Sequence, residues 1–212
     1  KVLEYPNNKY SEDAMLMGAE MAYTAKDYEK ALHIYKQLKD KAASMERRQL
    51  AKTGMLRSAH MLGNEEEIIF TATDLLADTK LAPELSNEAH YYRAKAYLDA
   101  GKTDGAMEDL KVLAKDTRNV YGAEAKYKVA QIYFDGGQTD KAEQEVLNYI
   151  EVSTPHTYWL ARSFVLLADV YMKLGRNLDA KQYLLSLKQN YQADDDIAGM
   201  IESRLEKLKT EN

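Results

Sequence analysis

Few side chains in this 212-residue chain are of the kinds that make or break bonds, and none stands in a catalytic spacing. The four histidines, His33, His60, His90 and His156, are scattered singly. A helical zinc site needs two histidines on one face with a carboxylate beside them, and no pair here meets that spacing. Cysteine is absent, which excludes disulfides, thiolate metal sites and cysteine nucleophiles. The stretch "SAHMLGN" puts Ser58 two residues from His60 but lacks the elbow that presents a nucleophilic serine. "DGGQTDK" has two glycines and a lysine without the spacing of a phosphate-binding loop. The carboxylate run "NEEEI" reads as an acidic first turn, where it favours the helix dipole, and Asp194–Asp196 read as a helix N-cap in preference to a cation site. These residues predict no enzyme, no metal and no cofactor.

The bulk composition narrows the remaining classes. The chain is 45% hydrophobic and 30% charged, with 10 Gly and 3 Pro, which describes an ordered and helical protein. A net charge of -5 argues against nucleic acid, because phosphate contacts need a basic face. No apolar run approaches the ~18 residues of a membrane span. The 16 Tyr against 3 Phe and 1 Trp suit half-buried seams and binding surfaces, since tyrosine joins an apolar body to a polar tip.

The elements that position these side chains repeat. "HMLGNEEEI", "YLDAGKTDGA", "YFDGGQTDKA" and "YMKLGRNLDA" align on Gly63, Gly101, Gly137 and Gly175, which fall 38, 36 and 38 residues apart. A fifth copy, "YTAKDYEKA", has Lys26 at the glycine position. Five residues after that position stand Ala31, Ile68, Ala106, Ala142 and Ala180. Seven before it stand Ala19, Leu56, Ala94, Ala130 and Ala168. Nine after it come Tyr35, Ala72, Leu110, Val146 and Leu184. Small residues at fixed places let two helices approach, and glycine past a helix end supplies the left-handed turn. Thr103 and Thr139 are the expected N-caps of the helices that follow. In the last copy the expected apolar stripe is Leu178, Ala180, Leu184, Leu187 and Tyr191. Each hairpin leaves an apolar face that only a neighbour covers, so the unit is stable when stacked.

"AEMAYTAKDYEKALHIYKQL" and "VAQIYFDGGQTDKAEQEVLNY" resemble the tetratricopeptide repeat in their small–aromatic–Gly–Ala pattern. The resemblance covers roughly residues 1–192, with a longer period than the ~34 residues of the standard repeat. It implies an all-α fold: a right-handed superhelix of stacked antiparallel helix pairs, about five repeats followed by a capping helix. The repeats fall at about 10–41, 46–80, 86–117, 121–153 and 157–191, with residues 1–9 the expected tail of a preceding repeat. Residues 193–212 form the expected cap, with Ile197, Ile201, Leu205 and Leu208 on one face. The truncated opening and this cap suggest the C-terminal end of a longer array. The long period and Tyr-rich helices resemble repeats of bacterial cell-envelope proteins, which implies a periplasmic or outer-membrane-associated location, with the cytoplasm as the alternative.

The resemblance also implies a concave face lined by the first helix of each pair. Its positions are Glu20, Tyr23, Arg57, His60, Tyr91, Lys95, Tyr127, Gln131, Phe134 and Asp169, with Val165 and Met172 in the last copy. Aromatics among mixed charges suit a peptide or partner protein. Tyr91, Tyr127 and Phe134 suit packing against the next hairpin equally well. The absence of Asn and the alternating charges at these positions set the chain apart from family members that clamp the C-terminal carboxylate of chaperones. The expected function is a protein–protein interaction scaffold. The alternative is a structural spacer, or a segment that self-associates through its N-terminal hairpin face.

Overall fold

The computed structural model describes residues 9–210. Among them are eleven helices and no strand: α1 (Lys9–Thr24), α2 (Tyr28–Lys41), α3 (Met45–Leu62), α4 (Glu65–Leu76), α5 (Pro83–Asp99), α6 (Thr103–Leu113), α7 (Val120–Asp135), α8 (Thr139–Ile150), α9 (Thr157–Lys173), α10 (Asn177–Asn190) and α11 (Ile197–Thr210). This is the expected all-α succession of helix pairs followed by a single helix. The expected tail of a preceding repeat at 1–9 lies outside the described residues but for Lys9, the first residue of α1. The chain forms two compact units, Lys1–Asp109 and Leu110–Asn212, which divide within α6.

One turn design closes every pair. Gly63, Gly101, Gly137 and Gly175 have φ of 63°, 70°, 73° and 73°, and Lys26 shares the left-handed conformation at φ 62°. In each copy the turn residue and its successor donate backward to the last helical turn, as Gly101 N to Leu98 O at 3.0 Å and Lys102 N to Tyr97 O at 2.7 Å. These two bonds satisfy carbonyls that a helix end would leave unpaired. The next helix begins at once, so the residue after the turn is also its N-cap. Asp27 and Asn64 fill that role with side-chain oxygens that accept from Lys30 N and Glu67 N. Thr139 stands one place too late: it is the first helical residue of α8, behind Gln138, which makes no side-chain cap bond. Thr103 likewise opens α6.

In the first unit the second helix of each pair is buried on two sides. Tyr35 of α2 packs with Ala19 and Ala22 of α1 and with Met55 of α3. Leu38 of α2 meets Met15 of α1 and Ala51 of α3. Ala72 and Leu75 of α4 join Leu56 and Ala59 of α3 to Ala89 and Ala96 of α5. Ion pairs lock the seams. Asp109 of α6, almost fully buried, accepts from Arg93 Nε and Nη2 of α5 at 2.8 and 2.7 Å, and its Oδ1 lies 2.7 Å from His90 Nδ1.

In the second unit one core joins α7 through α11. Val146 of α8, Leu166, Leu167 and Val170 of α9, Leu184 of α10, and Ile197 and Ile201 of α11 are buried together. The loop 114–119 packs tightly on the first turn of α7: a Cβ on Gly122 would lie 2.0 Å from Asp116 O, so only glycine fits there. Leu178 departs from its expected stripe and is 79% exposed. It lies two residues before Ala180, about 200° around the helix, and so faces away from the buried Ala180, Leu184 and Leu187.

Two measurements check these assignments. Lys26 bears a Cβ in a conformation that costs roughly 1–2 kcal/mol for non-glycine residues. Lys26→Gly is therefore expected to raise the unfolding free energy by about 1 kcal/mol in urea titration, and Gly101→Ala to lower it by about as much. Burial pushes the Asp109 carboxyl up, but hydrogen bonds from Arg93 and His90 outweigh it and hold the group below its ordinary value. A depressed carboxylate stabilises the fold above its unfolded pKa of about 3.9, and loses that contribution as pH falls through the folded pKa. Asp109→Asn is expected to destabilise the chain at pH 7, with a penalty that shrinks in titrations below about pH 4.

Candidate functional site

The residues ten, six and three places before each turn residue lie along one side of the first helix of a pair. In the first unit these are Leu16, Glu20 and Tyr23 of α1, Thr53, Arg57 and His60 of α3, and Tyr91, Lys95 and Leu98 of α5. An open groove of about 400 Å³ runs between α1 and α3, lined by Leu16, Glu20, Tyr23, Thr24, Tyr35, Leu50, Thr53, Gly54 and Arg57. Its depth comes from Gly54. A Cβ there would stand 2.3 Å from the Tyr35 ring, so the bare backbone lets the ring rise between the two helices and form the floor.

The groove's polar groups are held in place. Arg57 Nε and Nη2 donate to Glu88 Oε1 and Oε2 of α5, both at 2.7 Å, while about half of the arginine side chain stays exposed. The bidentate pair fixes the guanidinium and leaves Nη1 unspent in it. The ring of His60 stacks on Tyr92 at 4.1 Å and 21°. Burial, and then the charge of Lys95, lower the His60 pKa, so the ring is neutral at pH 7. Lys95 Nζ lies 5.5 Å from the Tyr91 ring, a cation–π distance. Tyr23 meets Tyr28 edge-on at 5.2 Å, and burial pushes both the Tyr23 and the Tyr35 hydroxyl pKa up, so both stay protonated donors. Glu20, Tyr23 and Arg57 thus share one groove, while His60 reaches Tyr91 and Lys95 only through Tyr92, whose ring lies 5.8 Å from that of Tyr91.

The corresponding residues of the second unit are built into the protein. Tyr127 is buried, with its ring 5.6 Å from Trp159 and its hydroxyl donating to Gln131 Oε1 at 2.9 Å. Gln131 in turn donates to Asp135 at 2.8 Å. Phe134 is half-buried under Lys173 Nζ, 5.0 Å from its ring. Asp169 accepts from Arg204 Nε and Nη2 of α11 at 2.7 and 2.6 Å. Val165 is fully buried. On α7 the cause is α9, whose Trp159 and Lys173 cover Tyr127 and Phe134; on α9 it is α11, which packs there as the first helix of a further pair would.

Sequence reasoning missed Glu88, Leu50 and Tyr35. Gly54 was the available signal, since a glycine inside a strongly helical stretch marks a close approach. Among the described residues no group of three or more His, Asp or Glu could hold a metal ion, and no helix is long and apolar enough to cross a membrane.

The left-handed turns, two-sided burial and common register define a helix-pair repeat protein. Models described as tetratricopeptide repeat match residues 88–116, from within α5 to just past α6, and 161–189, within α9–α10. No curated protein matches the chain. Three solved structures share the fold. The MamA protein is 17% identical, with 84% of this chain and 90% of that chain covered, at a TM-score of 0.66. The nearly identical TPR-like repeats of a putative kinesin light chain from Podosopora anserina are 18% identical over 84% and 93%, at 0.57. A thermophilic TPR protein in Thermus thermophilus is 18% identical over 92% and 98%, at 0.50. The two matched segments are tetratricopeptide repeats, and the fold is that of tetratricopeptide-repeat proteins.

The Arg57–Glu88 pair can be measured alone. Arg57→Leu leaves a nearly buried carboxylate unpaired and is expected to cost about 2 kcal/mol by denaturant titration. The added change Glu88→Leu is expected to restore most of that loss, since the carboxylate leaves with its partner. Additive losses would show that the two side chains are not coupled.

Proposed function

We propose that the chain is a non-enzymatic interaction scaffold and that its first unit binds a peptide or partner segment in the groove between α1 and α3. The carrying observation is the groove itself: about 400 Å³, floored by the Tyr35 ring, with Leu16, Tyr23 and Leu50 as apolar walls. Glu20 and Arg57 stand among these walls and give a bound segment opposite charges to meet. Tetratricopeptide repeats in general serve protein partners, and the matched repeat segments support that class of function here. Nη1 of Arg57 offers a donor that is already oriented, which reduces the ordering cost of binding. An extended peptide fits this chemistry: apolar side chains enter between Tyr23 and Leu50 while its carbonyls face donors along α3.

The test is a display library of twelve-residue peptides panned on the folded chain. Peptides that it selects are expected to bind at least tenfold more weakly to Leu50→Glu and to Tyr23→Ser, both measured by fluorescence anisotropy. Unchanged affinity in both variants, with their helicity intact, would place the binding elsewhere.

A further inference from the structure

In two copies an inner polar residue of a first helix is held by the helix that packs against its inner face. Arg57 and Asp169 both stand six places before their turn residues. Glu88 of α5 holds Arg57 through two hydrogen bonds, and Arg204 of α11 holds Asp169 through two. In α5 and α7 the same place is engaged from its own helix: Lys95 lies over the Tyr91 ring, and Gln131 bonds Tyr127 and Asp135. Glu20 has this place in α1, six before Lys26. Its counterpart is missing for a reason that the register shows. Glu88 stands thirteen places before Gly101, and thirteen before Gly63 stands Leu50, whose side chain offers no polar atom. Among the described residues no ion pair engages the Glu20 carboxylate, which is exposed on the groove wall across from Leu50.

We infer that the segment bound in the groove is anchored by an arginine, whose guanidinium meets Glu20 as Arg204 meets Asp169. This rests on the groove being the binding surface. Walls and floor all come from α1, α2 and α3, so the site is complete within the described residues. The charges match one for one. Glu88 already neutralises Arg57, so Glu20 leaves the groove with one uncompensated negative charge, which one cation balances. The lining chooses among cations. Tyr35 forms the floor and Tyr23 stands on the wall, and a planar guanidinium can stack on such rings while it bonds a carboxylate. The chain makes this double contact elsewhere with its own arginines. Arg162 lies 5.2 Å from the Tyr127 ring centre and donates to Asp196 at 2.9 Å. Arg176 lies 4.1 Å from the Tyr171 ring centre and donates to Glu143 at 2.9 Å. Leu16 and Leu50 remain to cover the methylene stem of the arginine.

The first probe is N-acetylarginine N-methylamide, titrated into the isotope-labelled intact chain and read by amide chemical shifts. Its citrulline analogue serves as the uncharged isostere. The arginine compound is expected to shift amides in residues 16–24 and 50–57 saturably, and the citrulline compound to leave them in place. Glu20→Gln, at an exposed position, should weaken that binding about fivefold, the upper range for a partly exposed ion pair. The inference is overturned if the arginine compound moves none of those amides at about 50 mM, a concentration that detects even very weak contacts. It is also overturned if the citrulline compound binds as well, or if Glu20→Gln binds as the wild type does. Peptides panned on the folded chain separate this inference from the groove reading. Changing the arginine of a selected peptide to citrulline should weaken it about fivefold against the wild type and no further against Glu20→Gln. Peptides that Leu50→Glu weakens, but that carry no arginine or lose nothing with citrulline, would keep the groove and overturn the arginine. Peptides indifferent to both Leu50→Glu and Tyr23→Ser would overturn both.

Discussion

The structure depends on second helices that are buried on two sides at once. An amphipathic helix with one apolar stripe can pack on one neighbour. Here α2 and α4 contact both their own partner and the first helix of the next pair. The apolar width this requires comes from alanine and glycine on the facing helices, not from larger side chains on the second helix. Ala19, Ala51, Ala59 and Ala89 are fully buried, and Gly54 lets a whole tyrosine ring in. Small-to-large changes at these places would meet a packed interior that cannot give way.

The same packing decides which side chains reach solvent. A first helix that has a further helix on its far side loses that surface to it. Asp169 and Val165 of α9 are taken by α11, and Tyr127 of α7 by Trp159 of α9. What stays open in the first unit is the gap between α1 and α3, where Glu20 and Arg57 are fixed on opposite walls. Arg57 is held by Glu88, a residue of the next pair, so the groove is positioned by the stack and not by a single hairpin.

Much of the fold could be read from the repeat because one conformational requirement recurs at one spacing. The left-handed turn was legible even at Lys26, where the register and not the residue type carried the signal. Helix caps were less legible. Thr139 is a better capping residue than Gln138, but the Schellman turn dictates which residue sits at the boundary, and geometry overrode preference. Leu178 was placed on the apolar stripe by composition and lies two residues out of phase with it. The site was legible only as positions. Which of Tyr23 and Tyr127 would be open depended on what packs against each helix from a distant part of the sequence. Glu88, 31 residues from Arg57, could not be assigned as its partner from local pattern.

The most direct measurement is amide hydrogen exchange on the intact chain, alone and saturated with a peptide selected by the folded protein. A segment held between α1 and α3 should slow exchange in residues 16–24 and 50–57, with little change across α7 to α11. Protection confined to the second unit, or none above that of an unselected peptide, would contradict the groove as the binding surface.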